Sequence, residues 1–106
     1  MTKKYIVDID GTICNNTYGD YANAFPYPSR INYFNQLFDQ GNEIHYWTAR
    51  GGSTGLDWTE LTISQLNGWG VKYTSLRLGK PSYDVWIDDK AFNVESYFNE
   101  NFTNRP

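Results

Sequence analysis

The sequence predicts an α/β fold with a mainly parallel sheet flanked by helices. Three observations lead there. Short apolar runs rich in β-branched and aromatic residues alternate with segments of helical period. The connections between them leave room for crossover helices. The polar residues that look chemical cluster where the apolar runs end, at Asp8 and Asp10, Thr48, and Asp88 with Asp89. In a parallel sheet those ends share one edge, and ligands bind there.

The elements follow in order. Residues 4–9 (KYIVDI) read as a buried strand running into an Asp-Gly turn. Residues 10–28, with two prolines and several Gly, Asn and Asp, read as a long loop. Its stretch Tyr18–Tyr27 carries Tyr18, Tyr21, Phe25 and Tyr27, either as a flap over a site or packed on the sheet edge. Ser29 fits an N-cap, Ile31, Phe34, Leu37 and Phe38 follow at helical spacing, and Gly41 fits a C′ stop. Residues 43–48 (EIHYWT) give a second strand and residues 49–55 a glycine-rich turn. Thr54 and Asp57 resemble a capping box before a helix that carries Trp58, Leu61 and Leu66 and stops near Gly68 or Gly70. A short strand is expected around Tyr73–Leu76, another over residues 83–87 (YDVWI), and a final helix from Ala91 to about Phe98.

Size and composition narrow the functions. The chain has 106 residues, enough for one core and too few for two, so residues 1–106 read as a single domain. Aromatics reach 18% while Leu and Ala are scarce, so the core is expected to be aromatic, with some rings lining a site. A net charge of −3 argues against a dedicated nucleic-acid binder. The lone Cys14 cannot form an internal disulfide and reads as a small packed residue. No run reaches membrane-spanning length and no signal-peptide core is apparent, so the sequence reads as cytoplasmic.

Four motifs carry chemistry. In V-D-I-D-G-T (7–12), two carboxylates flank the end of a strand, where one can attack and the other can move a proton. Gly11 permits a tight turn and close approach of backbone to a ligand. Carboxylates this close repel unless a cation intervenes, which points to a hard metal such as Mg²⁺. The plain alternative is an Asp-rich turn. In W-T-A-R-G (47–51), the Thr48 hydroxyl and the backbone at Ala49 suit a phosphate oxygen, and Arg50 stands within reach of a substrate anion. In G-K-P-S (79–82), Lys80 can neutralise a phosphate or a carboxylate; the run is not a P-loop. In W-I-D-D-K (86–90), adjacent acids after an apolar run are costly to hold together without a cation. His45, within the second strand, reads as structural.

Taken together and in this order, the motifs resemble the haloacid dehalogenase superfamily of phosphohydrolases over most of the chain, from Ile6 to about Ala91. The flanking text is similar to small proteins found near capsule and surface-polysaccharide genes. The resemblance implies a Rossmann-like core in which Asp8 is the nucleophile and Asp10 the acid/base. It implies that Thr48 binds phosphate and Lys80 steadies the charge. Asp8, Asp10 and Asp89 would hold Mg²⁺, with Asp88 behind Asp89 or acting through water. The implied activity is hydrolysis of a small phosphorylated metabolite, a sugar phosphate or nucleotide, through an aspartyl-phosphate. Only 37 residues separate Asp10 from Thr48 and 31 separate Thr48 from Lys80, so no cap domain fits. A receiver-like signalling domain uses similar residues but opens on its acidic pair, whereas here that pair comes last. A phosphate-binding module without turnover is the other rival, and the presence of Asp10 weighs against it. A phosphotransferase would share the intermediate.

Overall fold

A computed structural model describes residues 2–52 and 54–102. Strands β1 (Lys4–Val7), β2 (Glu43–Trp47) and β3 (Ser75–Arg77) form one parallel sheet in the order β1-β2-β3. Val7 pairs with Tyr46 and Tyr46 with Leu76, so the three strands end at the same edge. Parallel neighbours need a crossover. Helix α1 (Pro28–Asp39) supplies the first and α2 (Thr59–Gly68) the second. Helix α3 (Val94–Phe102) closes the described chain. The α/β class, the parallel sheet and its flanking helices are therefore as the sequence predicts, and the described residues contain no cap domain.

Local chemistry sets the helix ends. Gly41, at φ +98°, lets Asn42 N–H bond Leu37 O at 3.1 Å and Gly41 N–H bond Phe38 O at 3.0 Å. That pattern is a Schellman stop. Gly70 repeats it, with Val71 N–H on Leu66 O at 2.9 Å and Gly70 N–H on Asn67 O at 3.2 Å. The starts differ from expectation. Ser29 is not the cap of α1; Pro28 opens the helix, with Tyr27 before it and no side-chain cap. Thr54 and Asp57 do not form a capping box. Each accepts from the N–H two residues on, Leu56 and Thr59, and so closes its own turn before α2. The long loop contains one turn of 3₁₀ helix at Tyr21–Asn23.

The largest departure is the missing fourth strand. Residues 81–93 form no ladder, and Tyr83, Val85, Trp86 and Ile87 are exposed, Ile87 at 91%. Residues 78–82 follow β3 at the far edge from β1. A further parallel strand needs a crossover of roughly a dozen residues or more, and the chain between Arg77 and Tyr83 is too short for one. Among the described residues no strand pairs with the outer edge of β1, and Ile6 is 61% exposed.

The core also corrects the composition argument. It is chiefly aliphatic: Val7, Ile9, Ile13, Ile31, Ile44 and Leu66, with Phe34, Tyr46 and Phe98. None of the four tryptophans is fully buried. Their rings half-cover the surface, as amphipathic indoles do. Phe34 and Phe98 meet edge to face at 5.7 Å, which ties α3 to α1.

Candidate functional site

The site assembles where the parallel strands end. Asp8 follows the last residue of β1, and Thr48 the last residue of β2. Thr48 N–H bonds Arg77 O at 2.9 Å, and Lys80 N–H returns to Thr48 O at 2.9 Å. These two bonds fold the residues after β3 back onto the turn after β2, which sets the Lys80 backbone beside Thr48; Lys80 does not line the cleft, and its Nζ lies 5.2 Å from the centroids of the Tyr83 and Trp86 rings. At Gly52 the approach is so close that a Cβ would lie 2.6 Å from Lys80 O.

The first motif turns tightly. Gly11, at φ +83°, reverses the chain so that Thr12 and Ile13 N–H both bond Ile9 O at 3.0 Å and Gly11 N–H bonds Cys14 O at 2.9 Å. The turn buries Ile9 and Ile13 completely while leaving Asp8 and Asp10 facing a cleft. Burial raises the Asp8 carboxyl above its usual range. Lys80 is the largest opposing influence, the Ile9 N–H bond adds to it, and the Asp10 charge pushes the other way. Cys14 packs beneath, fully buried, with Sγ 3.5 Å from Asp10 Oδ1. Burial first, and the Asp10 charge second, push its thiol up to about 12. It is the packed residue the sequence suggested.

Arg50 does something the sequence did not reveal. It is 1% exposed and forks onto Asp10, with Nε 2.9 Å from Oδ2 and Nη2 2.8 Å from Oδ1. Its Nη1 donates to Thr62 Oγ1 at 3.1 Å and to Gln65 Oε1 at 2.6 Å, both on α2. The guanidinium lies over the Tyr21 ring at 4.7 Å. Arg50 is thus spent on holding Asp10 rather than free to meet a substrate anion. Gln65 also donates to Tyr21 O at 2.6 Å, anchoring the aromatic loop. Thr62 and Gln65 are the residues the sequence reading missed. Their signal was two polar side chains at i, i+3, on the stripe of α2 that also carries the buried Leu66.

The cleft has a volume of about 530 Å³. Asp8, Asp10, Thr48 and Ala49 line it, together with Tyr18, Tyr21 and Trp58. The aromatic loop is therefore divided. Tyr18 and Tyr21 line the cleft, while Phe25 and Tyr27 contact each other at 6.4 Å and Tyr27 lies under Arg30. Gly11 forms the turn within the first motif and does not itself line the cleft. His45 is structural, bound through Nε2 to Glu43 at 2.8 Å and through Nδ1 to Ser75.

Asp88 and Asp89 are not brought in. Both are exposed, and Asp88 Oδ1 accepts from Lys90 N–H at 3.2 Å, a bond that holds its carboxyl below the usual range. The reason is the missing strand, which alone would have carried them to the cleft edge. Among the described residues no three His, Cys, Asp or Glu side chains converge as a metal would require. Of the four acids expected to hold Mg²⁺, two meet, and Asp10 is already neutralised by Arg50. As placed, the donor set does not fit the ion.

No helix among the described residues is long and apolar enough to cross a membrane. No known family profile matches the chain. No curated protein matches it either. Among solved structures, the crystal structure of an MCSG target from Vibrio cholerae is similar, with a TM-score of 0.78 at 29% identity, covering 91% of this chain and 87% of that one. The likeness shows a shared fold.

Proposed function

We propose that this chain is a phosphohydrolase of the haloacid dehalogenase type, which takes the phosphoryl group of a small monoester onto Asp8. The observation that supports this reading most is the company of Asp8. A desolvated carboxylate stands at a strand end beside a second carboxylate, with the Lys80 charge acting on it and Thr48 at the neighbouring strand end. Asp8 Oδ attacks phosphorus, the bond to the leaving oxygen breaks, and an aspartyl-phosphate forms. Asp10 handles the proton: its Oδ2 keeps a lone pair beyond the one Arg50 Nε occupies, and the proton held there passes to the leaving oxygen, which departs as the alcohol, while Oδ1 accepts from Arg50 Nη2 and Cys14 Sγ. Water then attacks phosphorus, Asp10 accepts its proton, and Asp8 leaves as a carboxylate. Lys80 and the Thr48 hydroxyl offset the charge on the transferring group.

The test is phosphate release from a panel of monoesters, in EDTA and with added Mg²⁺, by wild type and Asp8→Asn. Release by wild type that vanishes in Asp8→Asn supports the reading. Equal release by both proteins would overturn the covalent route.

A further inference from the structure

We infer that Tyr83 and Trp86 are positioning residues for the transfer step: their rings cradle the Lys80 ammonium and aim it without neutralising it. The inference rests on the phosphoryl-transfer reading above and adds to it the groups that hold its cation.

Geometry supplies the first argument. Lys80 Nζ lies 5.2 Å from the centroid of the Tyr83 ring and 5.2 Å from that of Trp86. Both distances are within the reach of a cation–π contact. The two rings also meet each other, at 5.0 Å and 60°, so they form one corner rather than two separate contacts. Among the described residues no carboxylate pairs directly with Lys80. Its backbone is fixed by the bond to Thr48 O, but a flexible stem separates that anchor from the charge. The rings are what restrains the far end.

The corner is built on the sheet. Trp86 meets Trp47, the last residue of β2, edge to face at 6.1 Å. Arg77, the last residue of β3, lies over the Trp47 ring at 5.1 Å. Residues 83–86 make no ladder bonds, so these side-chain contacts seat them beside the strand ends. An apolar run that fails to become a strand thus still has a use, because two of its aromatic residues meet the lysine that precedes them.

Charge supplies the last argument. Lys80 does not line the cleft, yet its charge opposes the burial of Asp8 more than that of Arg50 does. Arg50 is already neutralised by Asp10. A carboxylate partner would do the same to Lys80 and would compete with the phosphoryl oxygens for its donors. A ring attracts the ammonium through its quadrupole and leaves the formal charge in place. A cradle of rings therefore keeps Lys80 restrained and still charged, able to act on Asp8 and on the group transferred to it.

The experiment has a spectroscopic arm and a kinetic arm. In the first, the side-chain methylene resonances of isotope-labelled lysine are recorded and assigned through Lys80→Met. Those of Lys80 should be ring-shifted upfield of those of Lys3, Lys4 and Lys90. Trp86→Leu should reduce that shift, and Trp86→Phe should keep most of it. In the second, kcat and KM are measured for p-nitrophenyl phosphate. Trp86→Leu should lower kcat by about 2- to 5-fold, the scale of one exposed cation–π contact, with KM little changed. Trp86→Phe should recover most of the loss. Tyr83→Leu should act as Trp86→Leu does, and it carries both arms if Trp86→Leu fails to fold. Lys80 resonances alongside those of the other lysines would overturn the inference. So would an upfield Lys80 with kcat unchanged in both leucine variants, or a loss of kcat that Trp86→Phe does not recover; each leaves the phosphoryl-transfer reading intact. No phosphate release by wild type would overturn that reading and the role given to the rings, while an upfield Lys80 would still report their contact.

Discussion

Asp8 and Arg50 show how much the meaning of a charged residue depends on its neighbours. Asp8 is raised from its ordinary value of 3.8 chiefly by burial. A carboxyl whose folded pKa lies above its unfolded value lowers stability as pH rises from 3.8 through the folded value. Asp8→Asn removes that penalty. The variant should melt higher than wild type at pH 7, and the gap should close as pH falls below 3.8. Melting curves across that range check it; a gap that widens in acid would contradict the burial argument. Arg50 is the opposite case, a buried charge fully engaged. Arg50→Met strands Asp10 and leaves Thr62 and Gln65 without their donor, so it should cost about 3–5 kcal/mol in urea unfolding. A loss under 1 kcal/mol would mean that Asp10 is solvated well enough without its partner.

Among the elements, the turn after β2 and the segment after β3 decide what reaches the cleft. They are packed so closely at Gly52 that Gly52→Ala must push Lys80 O away. That substitution should cost about 1–3 kcal/mol as an overpacking strain. It should also lower phosphate release by displacing Lys80. Gly79→Ala is the control, because a Cβ there meets nothing and only the φ of +77° is strained. If Gly52→Ala cost no more than Gly79→Ala, the close contact with Lys80 O would not be decisive. Further along, residues 83–87 lie exposed and unpaired, so their amides should exchange at nearly free rates while Ile44 and Tyr46 in β2 stay protected. Hydrogen exchange at residue resolution checks this. If added Mg²⁺ slowed exchange at Val85–Ile87, the ion would be recruiting Asp88 and Asp89 to the cleft.

For the whole molecule, one small core carries sheet and helices together. Phe98 on α3 belongs to that core, packed on Phe34 and Tyr33 of α1 and under the Arg30 guanidinium at 4.7 Å. Phe98→Ala should destabilise the fold by about 3–5 kcal/mol, a large share of the 5–15 kcal/mol of a typical domain. Thermal melting checks it. A minor shift would mean that α3 is an appendage and that the sheet with α1 and α2 stands without it.

The sequence by itself determined the elements and the chemistry nearest the strands. Alternating apolar runs and helical spacing are local properties, so β1, β2, β3 and the two crossover helices were readable, as were the Gly41 and Gly70 stops. Asp8 and Thr48 were readable for the same reason: a residue that ends a parallel strand lands at the common edge. The helix starts were harder, because Ser29 and the Thr54–Asp57 pair have the right types without making the cap bonds. Only the tertiary structure decided the rest. An apolar run such as YDVWI becomes a strand only if the chain can return to an open edge, and residues 78–82 cannot span that return. Arg50 looked like a ligand for substrate from its place after Thr48. Its partner became visible only when the fold set it on Asp10, forty residues away, with Thr62 and Gln65 of α2 holding its other end, a side-chain pairing that no local pattern encodes.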